Sequence, residues 1–224
     1  MAPTDTFTIT ANPDTDIWRK PPTTDVFNAP TALPPSTTPH PQRTSGPLNA
    51  FLSARLSLNF TPQEQYDQGG ILLSLRRRTD TPTTTTNTTT TPPPKWIKAG
   101  IELYNGAPRV STVACDRWAD WSVADLRAPG SAPAPAPASG SKGETGWTTV
   151  VVEKDKDGNG TGVWVYWVAE GSEEKVPLRE ICWVFGDEPD TWEVEVHAMA
   201  ARPNKEAQGA LTVEFAGLEV KWAS

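Results

Sequence analysis

The stretch Phe51-Leu52-Ser53-Ala54-Arg55-Leu56-Ser57-Leu58-Asn59-Phe60 decides the fold class. Taken alternately, Phe51, Ser53, Arg55, Ser57 and Asn59 point one way, and Leu52, Ala54, Leu56, Leu58 and Phe60 the other. Successive side chains of a β-strand face opposite sides, so this is a strand buried on one face. Similar segments follow along the chain. Gly69 to Leu75 is a mostly apolar strand. Trp96 to Leu103 sets Trp96, Lys98, Gly100 and Glu102 against Ile97, Ala99, Ile101 and Leu103. Val110 to Cys115 precedes a Trp-rich bend from Arg117 to Ser122. Trp147 to Glu153, Gly162 to Ala169, Arg179 to Phe185, Thr191 to Ala200 and Ala210 to Trp222 complete the series. Phe7-Thr8-Ile9 is expected to pair with the last of these.

The 224 residues include 23 Pro and 16 Gly, about one residue in six. Pro removes a helix donor and clashes with the preceding turn, so long helices are disfavoured. A dozen short strands and almost no helix predict an all-β sandwich. No apolar run of ~18 residues is present, which argues against a helical membrane span. Three stretches lack apolar periodicity, at 30–47, 79–94 and 129–146. The second holds ten Thr and four Pro in sixteen residues, and the third centres on Pro-Ala repeats. They are expected to be long surface loops within one domain covering 1–224, because the pieces between them are too short to bury separate cores.

The net charge of −7 speaks against nucleic-acid binding, which needs basic surface to displace counterions from phosphates. Arg76-Arg77-Arg78 reads as a solvated strand end. Cys115 and Cys182 lie in apolar runs and are expected to be two buried thiols of a reducing compartment, with a disulfide between them as the alternative. The first residues carry neither a basic nor an apolar signal region, so cytoplasmic residence is the expectation. The sequons at Asn59, Asn87 and Asn159 are then unused. No cofactor motif is present.

Three constellations could carry chemistry. Asp155-Lys156-Asp157-Gly158-Asn159-Gly160 places oxygen ligands as in the first half of a calcium loop, but position 12 is Tyr166, so a hairpin turn is preferred. Glu193, Glu195 and His197 alternate on one strand face at roughly 6.6 Å spacing. Retaining glycosidases set two carboxyl groups about 5–5.5 Å apart. A catalytic pair at Glu193 and Glu195 is therefore weighed against a solvated strand face, which is preferred. The third constellation is Asp67, Gln68, Trp96, Lys98, Glu102, Asp120 and Trp121. Indole faces beside carboxylates and amides suit carbohydrate, since sugar C–H faces stack on rings while hydroxyls take polar partners. Gly100 is expected to leave a shallow spot between Lys98 and Glu102. The alternative is that the Trp residues fill the core and Lys98 pairs with Glu102.

These residues carry a family resemblance. Asp16-Ile17-Trp18, Tyr66-Asp67-Gln68-Gly69-Gly70-Ile71-Leu72, Trp96-Ile97-Lys98-Ala99-Gly100-Ile101-Glu102 and Ala201-Arg202-Pro203 resemble the DUF1349 family. Trp118-Ala119-Asp120-Trp121-Ser122 and the run from Val176 to Phe185 look like its fungal branch, which includes a yeast protein associated with regulation of enolase. The resemblance implies a jelly roll of the concanavalin A-like lectin/glucanase type with a ligand-binding concave face. It also implies a possible metabolic-enzyme partner, enolase-like, and supplies no catalytic mechanism. The inserts at 79–94 and 129–146 depart from the pattern. The reading carried forward is a non-enzymatic sandwich that binds a carbohydrate or related small ligand. The alternatives are a regulator docking on a glycolytic enzyme, and a glycan-cleaving enzyme.

Overall fold

The computed structural model describes residues 5–35, 42–79, 91–126 and 145–223. The strands are β1 (Thr6–Ala11), β2 (Ile17–Lys20), β3 (Thr24–Phe27), β4 (Thr31–Ala32), β5 (Ser45–Pro47), β6 (Phe51–Asn59), β7 (Gln68–Arg77) and β8 (Lys95–Tyr104). They continue with β9 (Ala107–Cys115), β10 (Ala119–Asp125), β11 (Thr148–Asp157), β12 (Gly160–Val168), β13 (Val176–Ile181), β14 (Trp192–Ala201) and β15 (Leu211–Trp222). Among the described residues the only helical pieces are two single 3₁₀ turns, and no helix could cross a membrane.

Two antiparallel sheets face each other. One runs β1-β15-β6-β11-β12-β13 and the other β10-β9-β8-β7-β14-β4, with β5 also on β14. The expected two-sheet sandwich is therefore present, and β1 pairs with β15. Leu56, Leu58, Val150, Val152, Val163, Val165, Val213 and Phe215 of the first sheet meet Ile71, Leu73, Ile97, Ile101, Val194 and Val196 of the second. Apolar side chains on alternate positions of both sheets thus form the sandwich core.

The ends of β6 depart from strict alternation. Phe51 is buried and Leu52 is 42% exposed, the reverse of the expectation. Lys221 pairs with Ser53 but Trp222 with Phe51, so Leu52 is an extra residue bulged out of the ladder. Such a bulge flips the side chains beyond it. Asn59 is also buried, where the alternation puts it on the wet face.

Three other expectations are corrected. Cys182-Trp183-Val184-Phe185 leaves the strand and turns, with the Gly186 amide donating to the Trp183 carbonyl. Cys182 is exposed in consequence, while Cys115 is buried, and both are free thiols. The bend expected over 117–122 instead becomes the edge strand β10 from Ala119 onward. The stretch 30–47 is not all loop, because β4 and β5 pair with β14 at Met199, Ala198 and Glu193 to Glu195. Residues 36–41, 80–90 and 127–144, which include most of the second and third expected loops and a third of the first, lie outside the described residues.

The seven-stranded sheet is covered on both faces, which is why β7 and β8 read as mostly apolar. Its far face carries a second small core of Ile17, Leu72, Trp96, Val113, Cys115, Met199 and Ala201. Ile17 comes from the β2–β3 hairpin, which lies over this face. Arg19 anchors the hairpin by donating to the carbonyls of Pro93 and Pro94 and to Asp25. In the middle of the sheet Gly70 pairs with Gly100. A Cβ on Gly100 would stand 2.0 Å from the Gly69 oxygen, and one on Gly70 2.2 Å from the Ala99 oxygen. The two backbones approach as only glycine allows.

Gly100→Ala should accordingly destabilise the fold by about 1–3 kcal/mol or more in denaturant unfolding. Gly158→Ala, where a Cβ meets nothing within 4 Å, is the control and should stay within about 0.5 kcal/mol. Equal effects at the two positions would contradict the close approach.

Candidate functional site

Strand register builds the site. On the face of β8 turned away from the sandwich core stand Trp96, Lys98, Gly100, Glu102 and Tyr104. Opposite them on β7 are Ser74, Leu72, Gly70 and Gln68. On β9 are Cys115, Val113, Ser111 and Arg109. Trp121 of β10 pairs with Val113. The hairpin covers the Trp96 and Leu72 end of this face. The glycine pair lies at the margin of that cover, and there a small cleft opens with about 10 Å3 of room, space for about one water. Gln68, Lys98, Glu102, Ser111 and Met199 line it above a floor of Gly70 and Gly100. The shallow spot expected at Gly100 is this cleft.

Its polar groups form a hydrogen-bonded set. Ser111 Oγ donates to Glu102 Oε2 at 2.7 Å, and the Trp121 indole N–H donates to the same oxygen at 3.0 Å. Lys98 Nζ donates to Gln68 Oε1 at 2.8 Å and to Asp16 Oδ1 at 3.3 Å. The Gln68 amide also reaches Asp16, at 3.4 Å. Lys98 and Glu102 are only 5% and 6% exposed. Lys98 is thus held by Gln68 and Asp16, in place of the diagonal pair with Glu102 weighed from sequence. Burial raises the Glu102 pKa above its ordinary 4.5, against the lowering effects of Ser111, Lys98 and Trp121.

An aromatic rim adjoins this set. Tyr104 and Trp121 meet edge to face at 4.9 Å, and Tyr66 lies 6.1 Å from Tyr104 and 6.3 Å from Trp121. Tyr66 is 40% exposed and adopts a positive φ of 69° at the entry to β7. The Tyr66 amide donates to the Leu103 carbonyl, which ties that turn to β8.

Of the residues expected to bind ligand, Gln68, Lys98, Glu102 and Trp121 come together here. Three others stand elsewhere. Asp67 is fully buried, and Arg202 grips it at 2.9 and 2.7 Å while the Gln63 and Glu64 amides donate to it. Breaking such a pair leaves an uncompensated buried charge, so Asp67 belongs to the frame that holds the 61–67 loop to the end of β14. Trp96 is fully buried beneath the hairpin and offers no ring face. Asp120 points to the opposite side of β10 from Trp121 and pairs with Arg179 of β13.

Glu193, Glu195 and His197 share one face of β14, as alternation requires. Glu193 meets Arg78 at 3.7 Å and Glu195 meets His197 at 3.6 Å. Both carboxylates are more than half exposed. Glu195 lies in line with Trp96, ~20 Å along the strands from the Gln68–Glu102 row. Burial lowers the His197 pKa, with Glu195 acting against it. Asp155, Asp157 and Asn159 belong to the β11–β12 hairpin, where Asp157 accepts from the Asn159 and Gly160 amides and caps the turn. Among the described residues no three His, Cys, Asp or Glu side chains converge as a metal set.

The sequence reading left Asp16, Tyr66, Ser111 and Tyr104 out of the site. Tyr104 was within reach, two residues beyond Glu102 on the same strand face. Asp16 and Ser111 depend on tertiary placement and strand register.

The raised pKa of Glu102 has a stability consequence. The folded state holds this proton more tightly than the unfolded chain does. Stability from the group is therefore full below about pH 4.5 and is lost as pH rises through the raised value. Glu102→Gln should raise the melting temperature relative to the parent protein at pH 8 by more than it does at pH 4. An equal difference at both values would contradict the burial of an ionisable carboxyl there.

Comparison with known proteins places the chain. A family model described as a protein of unknown function, DUF1349, matches residues 2–222. An uncharacterized protein of Emericella nidulans is 36% identical over 217 residues, covering 96% of this chain and 86% of that protein. A functionally unknown protein from Saccharomyces cerevisiae, known from its crystal structure, aligns with a TM-score of 0.60 at 16% identity. That alignment covers 100% of this chain and 91% of the yeast one, and it shows a shared fold. The alginate lyase of Klebsiella pneumoniae aligns at a TM-score of 0.43 and 12% identity over 78% of this chain and 61% of its own, too weak a likeness to speak to function. The family match over nearly the whole length, with the Emericella relative beside it, establishes that the chain belongs to the DUF1349 family.

Proposed function

We propose that the protein binds a small carbohydrate at the Glu102 cleft without cleaving it. The observation that carries this reading is the bonded trio Glu102–Ser111–Trp121 beside the Tyr66–Tyr104 rim. Ring faces next to fixed polar groups are what a sugar needs, C–H stacking on one side and hydroxyl recognition on the other. With about 10 Å3 of enclosed room, the cleft receives a single hydroxyl of a terminal sugar, whose ring rests on the tyrosines. Both carboxylates at the cleft are already acceptors within the protein, Glu102 from Ser111 and Trp121 and Asp16 from Lys98 and the Ile17 amide. That arrangement suits orienting hydroxyls better than attack at an anomeric carbon. The rival reading, docking on a metabolic enzyme such as enolase, draws on family resemblance alone, and no feature of this face favours it. A cytoplasmic role in regulating sugar metabolism would be one use of such binding.

A panel of methyl glycosides should give a saturable rise in melting temperature with at least one sugar, since ligand binding stabilises the native state. Trp121→Ala should then weaken binding roughly ten- to hundredfold, in line with the ~1.5–3 kcal/mol of a large side chain's contact. Trp118→Ala, on the exposed β9–β10 turn, should leave affinity unchanged. Unchanged affinity in Trp121→Ala would contradict the assignment.

A further inference from the structure

We infer that the sugar edge received by the cleft is uncharged, and that the cleft rejects sugars bearing a carboxylate or sulfate on that edge. This deepens the carbohydrate reading and rests on it. Glu102 and Lys98 line the cleft, and Asp16 is bonded to Lys98. Lys98 gives two of its three N–H donors to Gln68 Oε1 and Asp16 Oδ1, so its charge is matched inside the protein before a ligand arrives. Glu102 is bonded through Oε2 to neutral donors only, the Ser111 hydroxyl and the Trp121 indole. The nearby Arg109 is paired with Asp125. A second anion would therefore join a set in which two carboxylates, Asp16 and Glu102, already surround one ammonium.

Like charges a few ångströms apart repel strongly where water is scarce. A neutral hydroxyl meets no such barrier. It can donate to the Glu102 carboxylate that lines the cleft. Selectivity then follows from an unmatched charge as much as from attractive contacts.

The test is calorimetry at pH 8 with whichever neutral methyl glycoside binds. It is compared with the same glycoside oxidised to a carboxylate at C6 and with the one sulfated at C3, so that either edge is probed. At least one charged derivative should bind tenfold or more weakly than its neutral parent. Glu102→Gln should narrow that gap at least fivefold. Asp16→Asn, at the other carboxylate, is the second variant and should narrow it as well; melting curves of both variants check folding. Charged derivatives that both bind as tightly as the parent would overturn the inference and leave the carbohydrate reading standing. So would a gap unchanged in both folded variants. Absence of binding by every neutral glycoside would overturn the carbohydrate reading and this inference together.

Discussion

A buried ammonium and a buried carboxyl, Lys98 and Glu102, stand on the same face of β8 with Gly100 between them. Removing either from water is costly unless hydrogen bonds replace the lost hydration. The surroundings follow from that requirement. Gln68 comes from β7, Ser111 from β9, Trp121 from β10 and Asp16 from the chain just before β2, and each supplies a partner. Four separate segments thus converge on one strand. The glycine pair at Gly70 and Gly100 keeps side chains off the floor between the two charges, and so leaves the small cleft there.

The β2–β3 hairpin gives this face its character. In an open sandwich the outer face of a sheet is wet, and its strands alternate apolar with polar. Here Ile17 closes over Leu72, Trp96, Val113 and Met199, and the middle of the sheet is buried on both sides. What stays open on this face is a small cleft at the margin of the hairpin. The same hairpin brings Asp16 to Lys98, so the cover and part of the polar set belong to one element. Beneath the entry, the Asp67–Arg202 pair fixes the 61–67 loop that carries Tyr66 to the rim.

Much of this was legible in the sequence, for identifiable reasons. Period-two alternation places Lys98, Gly100 and Glu102 on one face, because the pleat leaves no other arrangement. It failed at Phe51 and Leu52, where one bulged residue reverses the order, and no local signal marks a bulge of this kind. Asp67 read as a ligand contact because an Asp beside Gln and a Gly pair looks the same whether it meets solvent or a distant arginine. Its partner lies 135 residues away. Trp96 read as an exposed platform because the cover over it is set by packing of the hairpin, which alternation within β8 does not encode. Cys182 read as buried because Ile-Cys-Trp-Val-Phe has strand composition, yet the chain turns there.

The most direct measurement is a titration followed by the indole N–H resonances of the ten tryptophans, using the neutral methyl glycoside panel. Trp121 is the indole whose N–H is bonded to Glu102 at the cleft, and Trp96 lies sealed beneath the hairpin. The account predicts a saturable shift of the Trp121 resonance, with that of Trp118 unmoved. A saturable shift centred on Trp118, with Trp121 silent, would contradict it.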